Sequence, residues 1–189
     1  MTMITEPTEE SMLAGLLETA RSNWSVDGEQ VTSEDILGNM DKIAFHESKN
    51  IADAIQKSDN TDDGTGPGRG LFQFEVGEGK GAHTASRRLI KQLGYTPDFL
   101  KGFAESDYDV SSFTPEQQQM MFLGNILRMP NKAEGEGRVA ANFAGVDTDE
   151  ELADYWAQYH HAGTKLGSDA QDDMTNKFLG DLKDYPTSG

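Results

Sequence analysis

The chain has no cysteine among its 189 residues, an absence that removes disulfides, thiolate metal ligands and thiol nucleophiles together. It also lacks any run of about 18 apolar residues, so no membrane span is expected. Its first 15 residues carry acids where a signal peptide would carry basic charge and an apolar stretch, so no export signal is expected. Basic residues are scarce: 16 Lys and Arg stand against 33 Asp and Glu, a formal charge of −17. That balance opposes the phosphate contacts that dominate nucleic-acid affinity, and nucleic acid is not an expected partner. Chemistry is left to carboxylates, His, Ser, Lys or a bound ion.

Hydrophobic residues at 35% and charged residues at 26% describe a globular composition toward the polar end. The length suits one domain over 1–189. Apolar spacing predicts mostly helix. Residues 8–22 set Leu13, Leu16, Leu17, Ala20 and Trp24 on one face, and Ser33 is expected to cap a run bearing Ile36, Met40, Ile43 and Ala44. A third helix is expected from Thr84, with Leu89, Ile90 and Leu93 inward and Gly94 as its stop. Thr114-Pro115-Glu116-Gln117 carries an N-cap, a first-position Pro and a capping-box Gln ahead of the apolar stretch Met120 to Leu127, which Pro130 closes. Asp147 with Glu150 opens a helix striped by Leu152, Tyr155, Trp156 and Tyr159. Ser168 with Gln171 opens the last, bearing Met174, Phe178, Leu182 and Tyr185. The only strand expected is Leu71 to Val76, after a loop from Asp59 to Gly70. The fold expected is mainly α, an α+β globule with one small β element.

One carboxylate breaks the pattern. Ile36, Met40, Ile43 and Glu47 are spaced i, i+4, i+7 and i+11, so Glu47 continues an inward row. Burial and the negative end of a helix both push a carboxyl pKa upward, toward a protonated acid able to donate to a leaving oxygen. The competing reading is a carboxylate at a frayed helix end, hydrogen-bonded to backbone, His46 or Lys49.

The segment Asp59 to Gly70 alternates Gly at 64, 66, 68 and 70, which permits close backbone approach to a ligand. Leu71-Phe72-Gln73-Phe74-Glu75 follows, where the Gln73 amide offers donor and acceptor to a polar group such as a sugar N-acetyl. A calcium-binding loop from Asp59 fails, because its third and twelfth positions are Thr61 and Gly70. A dinucleotide loop fails as well, because a Gly period of two never gives GxGxxG. A solvated linker is the remaining alternative.

Phe45-His46-Glu47-Ser48, a polar loop, then Gly70-Leu71-Phe72-Gln73 resembles the Glu-Ser and Gly-Leu-Met-Gln motifs of soluble lytic transglycosylases and goose-type lysozymes, in the lysozyme-like superfamily. Gly-Pro-Gly-Arg-Gly-Leu-Phe-Gln-Phe-Glu looks most like phage-encoded, virion-associated peptidoglycan-degrading domains. The resemblance spans about 33–165, with the terminal helices as additions. It implies a lysozyme-like fold, Glu47 as catalytic acid/base, Ser48 positioning it or the substrate, and Gln73 contacting substrate. The family's Ala-Tyr-Asn-Ala-Gly segment corresponds imperfectly to Ala140-Ala141-Asn142-Phe143-Ala144-Gly145, which makes Asn142 a candidate substrate ligand. Tyr155 and Tyr159 are alternatives for the family's cleft tyrosine, and spacing does not choose between them.

Mechanism then turns on a second carboxylate. An inverting hydrolase needs one about 6.5–9.5 Å from the acid to activate water. Asp59, Asp62 and Asp63 are candidates, and Glu75 is another. A lytic transglycosylase needs none of them, because the substrate's own hydroxyl attacks and an anhydro-sugar results. The expected activity is cleavage between N-acetylmuramic acid and N-acetylglucosamine by the transglycosylase route, with the inverting hydrolase as the alternative. No cofactor is expected. No metal site is expected either: His160 and His161 would have to join His46 and His83, and adjacent residues point to different sides of a helix. The expected partners are peptidoglycan glycan strands and phage tail or internal virion proteins. A charge of −17 slows encounter with an anionic wall unless a larger assembly delivers the domain, which argues for a tail or internal virion location acting at the host periplasm or cell wall, with the host cytoplasm before lysis as the alternative. A non-catalytic virion protein with the same fold and a sugar-binding module are the rival roles.

Overall fold

The computed structural model describes residues 7–26, 29–128, 146, 148–159 and 168–186. Six α-helices are described: α1 (Glu9–Asn23), α2 (Ser33–Ser48), α3 (Gly81–Leu93), α4 (Pro115–Ile126), α5 (Asp149–Tyr159) and α6 (Asp169–Leu182). Two 3₁₀ turns, Asp98–Leu100 and Phe103–Ser106, bridge α3 and α4. β1 (Ser25–Val26) and β2 (Glu29–Gln30) form a small antiparallel pair, and β3 (Ile55–Lys57), β4 (Thr65–Arg69) and β5 (Phe74–Glu75) form an antiparallel sheet in that order. The chain is thus mainly helical with a small sheet, an α+β fold. No helix among the described residues is long and apolar enough to cross a membrane.

The helix ends follow their capping chemistry. Thr114 accepts from the Gln117 N–H while the Gln117 side chain accepts from the Thr114 N–H, the reciprocal box read from the sequence. Gly94 ends α3 at φ 82°, and Ser168 accepts from the Gln171 N–H ahead of α6. Three starts differ from expectation. Thr32, not Ser33, caps α2, because Asp35 lies three residues on and returns the bond to the Thr32 N–H. α3 begins at Gly81 rather than Thr84, with Lys80 as an N-cap that makes no side-chain bond. Thr148 and Glu151 form the box before α5, so the expected Asp147–Glu150 pairing is displaced by one residue.

α4 is the central helix. Met120, Met121, Phe122, Leu123 and Ile126 are all at most 2% exposed, and α4 packs against both α1 and α3. Gly124 sets the approach to α3, since a Cβ there would lie 2.7 Å from the Leu89 Cα. α5 packs on α6 and α6 on α2, and Leu152, Trp156 and Phe178 join these helices to the same buried cluster as Leu16, Ala20, Ile36, Met40 and Ile43. The stripe residues of α1, α2 and α5 thus share one core, as their spacing implies.

The sheet overturns two expectations. The alternating-Gly segment is not a loop through Gly70: Thr65–Arg69 is β4, paired as Ile55↔Arg69 and Lys57↔Thr65 on one side and Gly68↔Glu75 on the other. Nor is Leu71 to Val76 one strand. Only Phe74–Glu75 is strand, and Gln73 sits in the preceding turn at φ 47°. The Gly period of two is the strand period, and it keeps one face of β4 bare. The Gln56 side chain fills that space: a Cβ on Gly66 would lie 2.6 Å from Gln56 Oε1, which accepts from the Gly68 N–H at 3.1 Å.

Candidate functional site

Glu47 sits in the last turn of α2, four residues beyond the fully buried Ile43. The helix ends because Lys49 adopts a left-handed conformation (φ 56°), its N–H closing on the Ala44 and Phe45 carbonyls. Ser48 is buried, and its hydroxyl donates back to the Ala44 carbonyl at 3.0 Å. Glu47 is half-buried. Trp156 of α5, 1% exposed, donates from Nε1 to Glu47 Oε1 at 2.6 Å.

The two side chains that a frayed-end carboxylate would use, His46 and Lys49, are engaged elsewhere. His46 Nδ1 lies 2.8 Å from Asp181 Oδ2, and Lys49 Nζ lies 3.1 Å from Asp181 Oδ1. Asp181, on α6, therefore takes both groups that the sequence offered to Glu47. The His46 ring packs between Trp156 (centroids 4.3 Å apart) and Phe178 (4.8 Å). Burial pulls the His46 pKa down to about 4 against the opposing pull of Asp181, so the ring is neutral at pH 7.

Burial acts in the opposite sense on the carboxyl. Desolvation raises the Glu47 pKa to about 7, with the Trp156 N–H and the charge of Lys177 pulling the other way. A group titrating near 7 can both give and take a proton at neutral pH, which is what acid/base catalysis requires.

The other expected site residues divide. Gln73 Nε2 donates to the Gly70 carbonyl at 2.8 Å, and a Cβ on Gly68 would come within 2.8 Å of Gln73 Oε1, so the amide braces the turn into β5. Asp59, Asp62 and Asp63 are exposed in the connection between β3 and β4, and Glu75 is exposed on β5. Asp63 Oδ1 accepts from both the N–H and the hydroxyl of Thr65, and these bonds, led by the backbone one, hold its pKa below the usual range. Tyr155 is 4% exposed and belongs to the core. Tyr159 ends α5, but its side chain lies outside the described residues, as do Asn142, His160 and His161. No group of three or more His, Asp or Glu side chains among the described residues could hold a metal ion.

Sequence reasoning missed two residues that shape this region. In the sequence Trp156 stands out only as part of the α5 stripe, although a buried indole N–H needs an acceptor. Gln118 is fully buried: Oε1 accepts from the Leu71 N–H at 2.7 Å, and Nε2 donates to the carbonyls of Ala52 (2.7 Å) and Phe113 (3.0 Å). It locks the Gly70-Leu71 turn to α4, and the signal was its place four residues before Phe122 on the inward row. No protein-family model, curated protein or solved structure significantly matches the chain.

Proposed function

We propose that this chain cleaves peptidoglycan glycan strands between N-acetylmuramic acid and N-acetylglucosamine, with Glu47 as acid/base in a lysozyme-like fold. The observation that carries the reading is the protonatable Glu47 carboxyl, desolvated at the end of an apolar row and held by a neutral indole donor. Glu47 protonates the glycosidic oxygen; as carboxylate it then takes the proton from the substrate hydroxyl that attacks the anomeric carbon, leaving an anhydro-sugar. The resemblance of Glu47-Ser48 and Gly70-Leu71-Phe72-Gln73 to the family motifs supports the same assignment.

The single-carboxylate route is favoured over an inverting hydrolase. Asp59, Asp62 and Glu75 are exposed, and Asp63 spends its Oδ1 on the turn at Thr65. None is desolvated as Glu47 is. The charge of −17 supports delivery by a phage tail or internal virion assembly, since tethering replaces electrostatic steering toward an anionic wall.

Digestion of purified peptidoglycan by wild type and Glu47→Gln, with the released muropeptides read by mass spectrometry, tests the reading. Anhydromuropeptides from wild type and none from the variant are expected. Hydrated reducing ends would replace the transglycosylase route with hydrolysis. Equal products from both proteins would remove Glu47 from the mechanism, and no products from folded wild type would favour the structural virion role.

A further inference from the structure

We propose that a cleft along α3 binds a phosphoryl-bearing anion. From Gly79 to Pro97 this strongly acidic chain carries Lys80, Arg87, Arg88 and Lys91 and not one Asp or Glu. The cleft, of about 270 Å³, is lined by Gly79, His83, Thr84, Arg87, Arg88 and Lys91. His83, Arg87 and Lys91 recur at i, i+4 and i+8, and Thr84 and Arg88 form the adjoining row, so two helical rows bring their donors to one hollow.

Two of the lining groups are already oriented. The Gly79 N–H donates to His83 Nδ1 at 2.6 Å and the ring stacks on Tyr108 at 4.5 Å, which leaves Nε2 as the ring's remaining polar atom. Arg88 is half-buried, and its Nη1 donates to Asn125 Oδ1 at 2.7 Å, fixing the guanidinium plane. Arg128 adds a further cation at the C-terminal end of α3, donating from Nη2 to the Lys91 carbonyl and from Nε to Gln92 Oε1.

Elsewhere the abundant acids are used as partners: Arg21, Lys42, Lys49, Arg69 and Lys101 each meet a carboxylate. Among the described residues none pairs with Arg87, Arg88 or Lys91. Arg87 and Lys91 are instead like charges at i, i+4, an arrangement that weakens a helix until an anion neutralises it. A phosphoryl group fits this donor set: it carries up to two charges and three acceptor oxygens, and guanidinium forks grip it bidentately. The hollow, of about 270 Å³, is large enough for a phosphoryl group and its substituent. None of these residues belongs to the Glu47 site, so this inference stands apart from the glycan-cleavage reading.

The test is an amide NMR titration of the full chain with sodium pyrophosphate at constant ionic strength, with sodium chloride as reference. Saturable shifts confined to the amides from Gly79 to Lys91 are expected. The exposed pair Arg87→Ala with Lys91→Ala should weaken the apparent affinity roughly tenfold or more, with the resonances of Phe122 and Leu123 in α4 unmoved. A glycerol phosphodiester oligomer distinguishes the sources: tighter binding than pyrophosphate assigns the anion to a phosphodiester polymer, weaker binding to a free phosphate ligand, and both uphold the phosphoryl chemistry. Shifts that chloride reproduces, citrate binding as tight as pyrophosphate, or a double variant that binds like wild type would overturn it.

Discussion

Replacing Glu47 with Gln should stabilise the protein above neutral pH and leave it nearly unchanged in acid. The carboxyl titrates near 4.5 in the unfolded chain and near 7 when folded. Between those values the unfolded state has released a proton that the native state still holds, so stability falls as pH rises through the window and the loss is complete above about pH 7. A shift of about 2.5 units at 1.36 kcal/mol each is a little over 3 kcal/mol. Discounted for the partial exposure of the residue, the penalty is about 2–3 kcal/mol. Gln carries no charge to desolvate, and its Oε1 can still accept the Trp156 N–H. The variant should therefore exceed wild type by about 2–3 kcal/mol at pH 8, on the order of 5–10 °C in Tm for a chain of this size, and by under about 0.5 kcal/mol near pH 4. Urea unfolding of both proteins across pH 4–8 measures this. The many other carboxylates titrate alike in both chains and cancel in the difference. A difference that stays flat with pH would mean that the Glu47 pKa is ordinary, and with it the acid/base assignment would lose its physical basis.

Three further outcomes follow from particular contacts. Trp156→Phe removes the donor on Glu47 Oε1 and should raise the Glu47 pKa by about one unit, read by carboxyl carbon NMR; an unmoved titration would show that the indole bond does not tune the group. Gln118→Leu strands the Leu71 N–H and the carbonyls of Ala52 and Phe113, and should cost about 2–4 kcal/mol in urea unfolding. Loss of under about 1 kcal/mol would mean that water replaces those bonds. Gly124→Ala drives a methyl to within 2.7 Å of the Leu89 backbone; it should cost about 1–3 kcal/mol by forcing α3 and α4 apart, and wild-type thermal stability would refute that packing.

Helices were legible wherever period and punctuation agreed. Thr114-Pro115 and Gly94 marked true ends because capping is local chemistry, set within four residues. α2 was displaced by one residue because Thr32 and Ser33 are both good caps, and only Thr32 has an acid at the third position after it. The hairpin was hidden by composition. Four glycines around Pro67 read as loop, yet their spacing of two was the strand signal, and the missing side chains make room for Gln56. Glu47 was legible as an inward carboxylate from Ile36, Met40 and Ile43. Its partner was not, because Trp156 lies 109 residues away and nothing local couples an indole on one stripe to an acid on another. The same long range hid Asp181, which reaches His46 and Lys49 from α6.

A carboxylate at the end of an apolar row can be satisfied by a cation, by backbone capping or by full exposure, and Glu47 has none of the three. Asp181 occupies His46 and Lys49, the Lys49 N–H closes on Ala44 and Phe45, and the residue is half-buried. Its donor is a neutral indole. A cation in the place of Trp156 would pull the carboxyl down by about 1–3 units and hold it ionised at neutral pH, fit to accept a proton but not to donate one. Removing every donor would leave desolvation unopposed and hold it protonated, fit to donate but slow to accept. The single acid/base role proposed for Glu47, doing both in one cycle, needs a pKa between those limits. Burial opposed by one neutral hydrogen bond and the more distant charge of Lys177 supplies that balance here, at a cost in folding stability that a purely structural residue at position 47 would not impose.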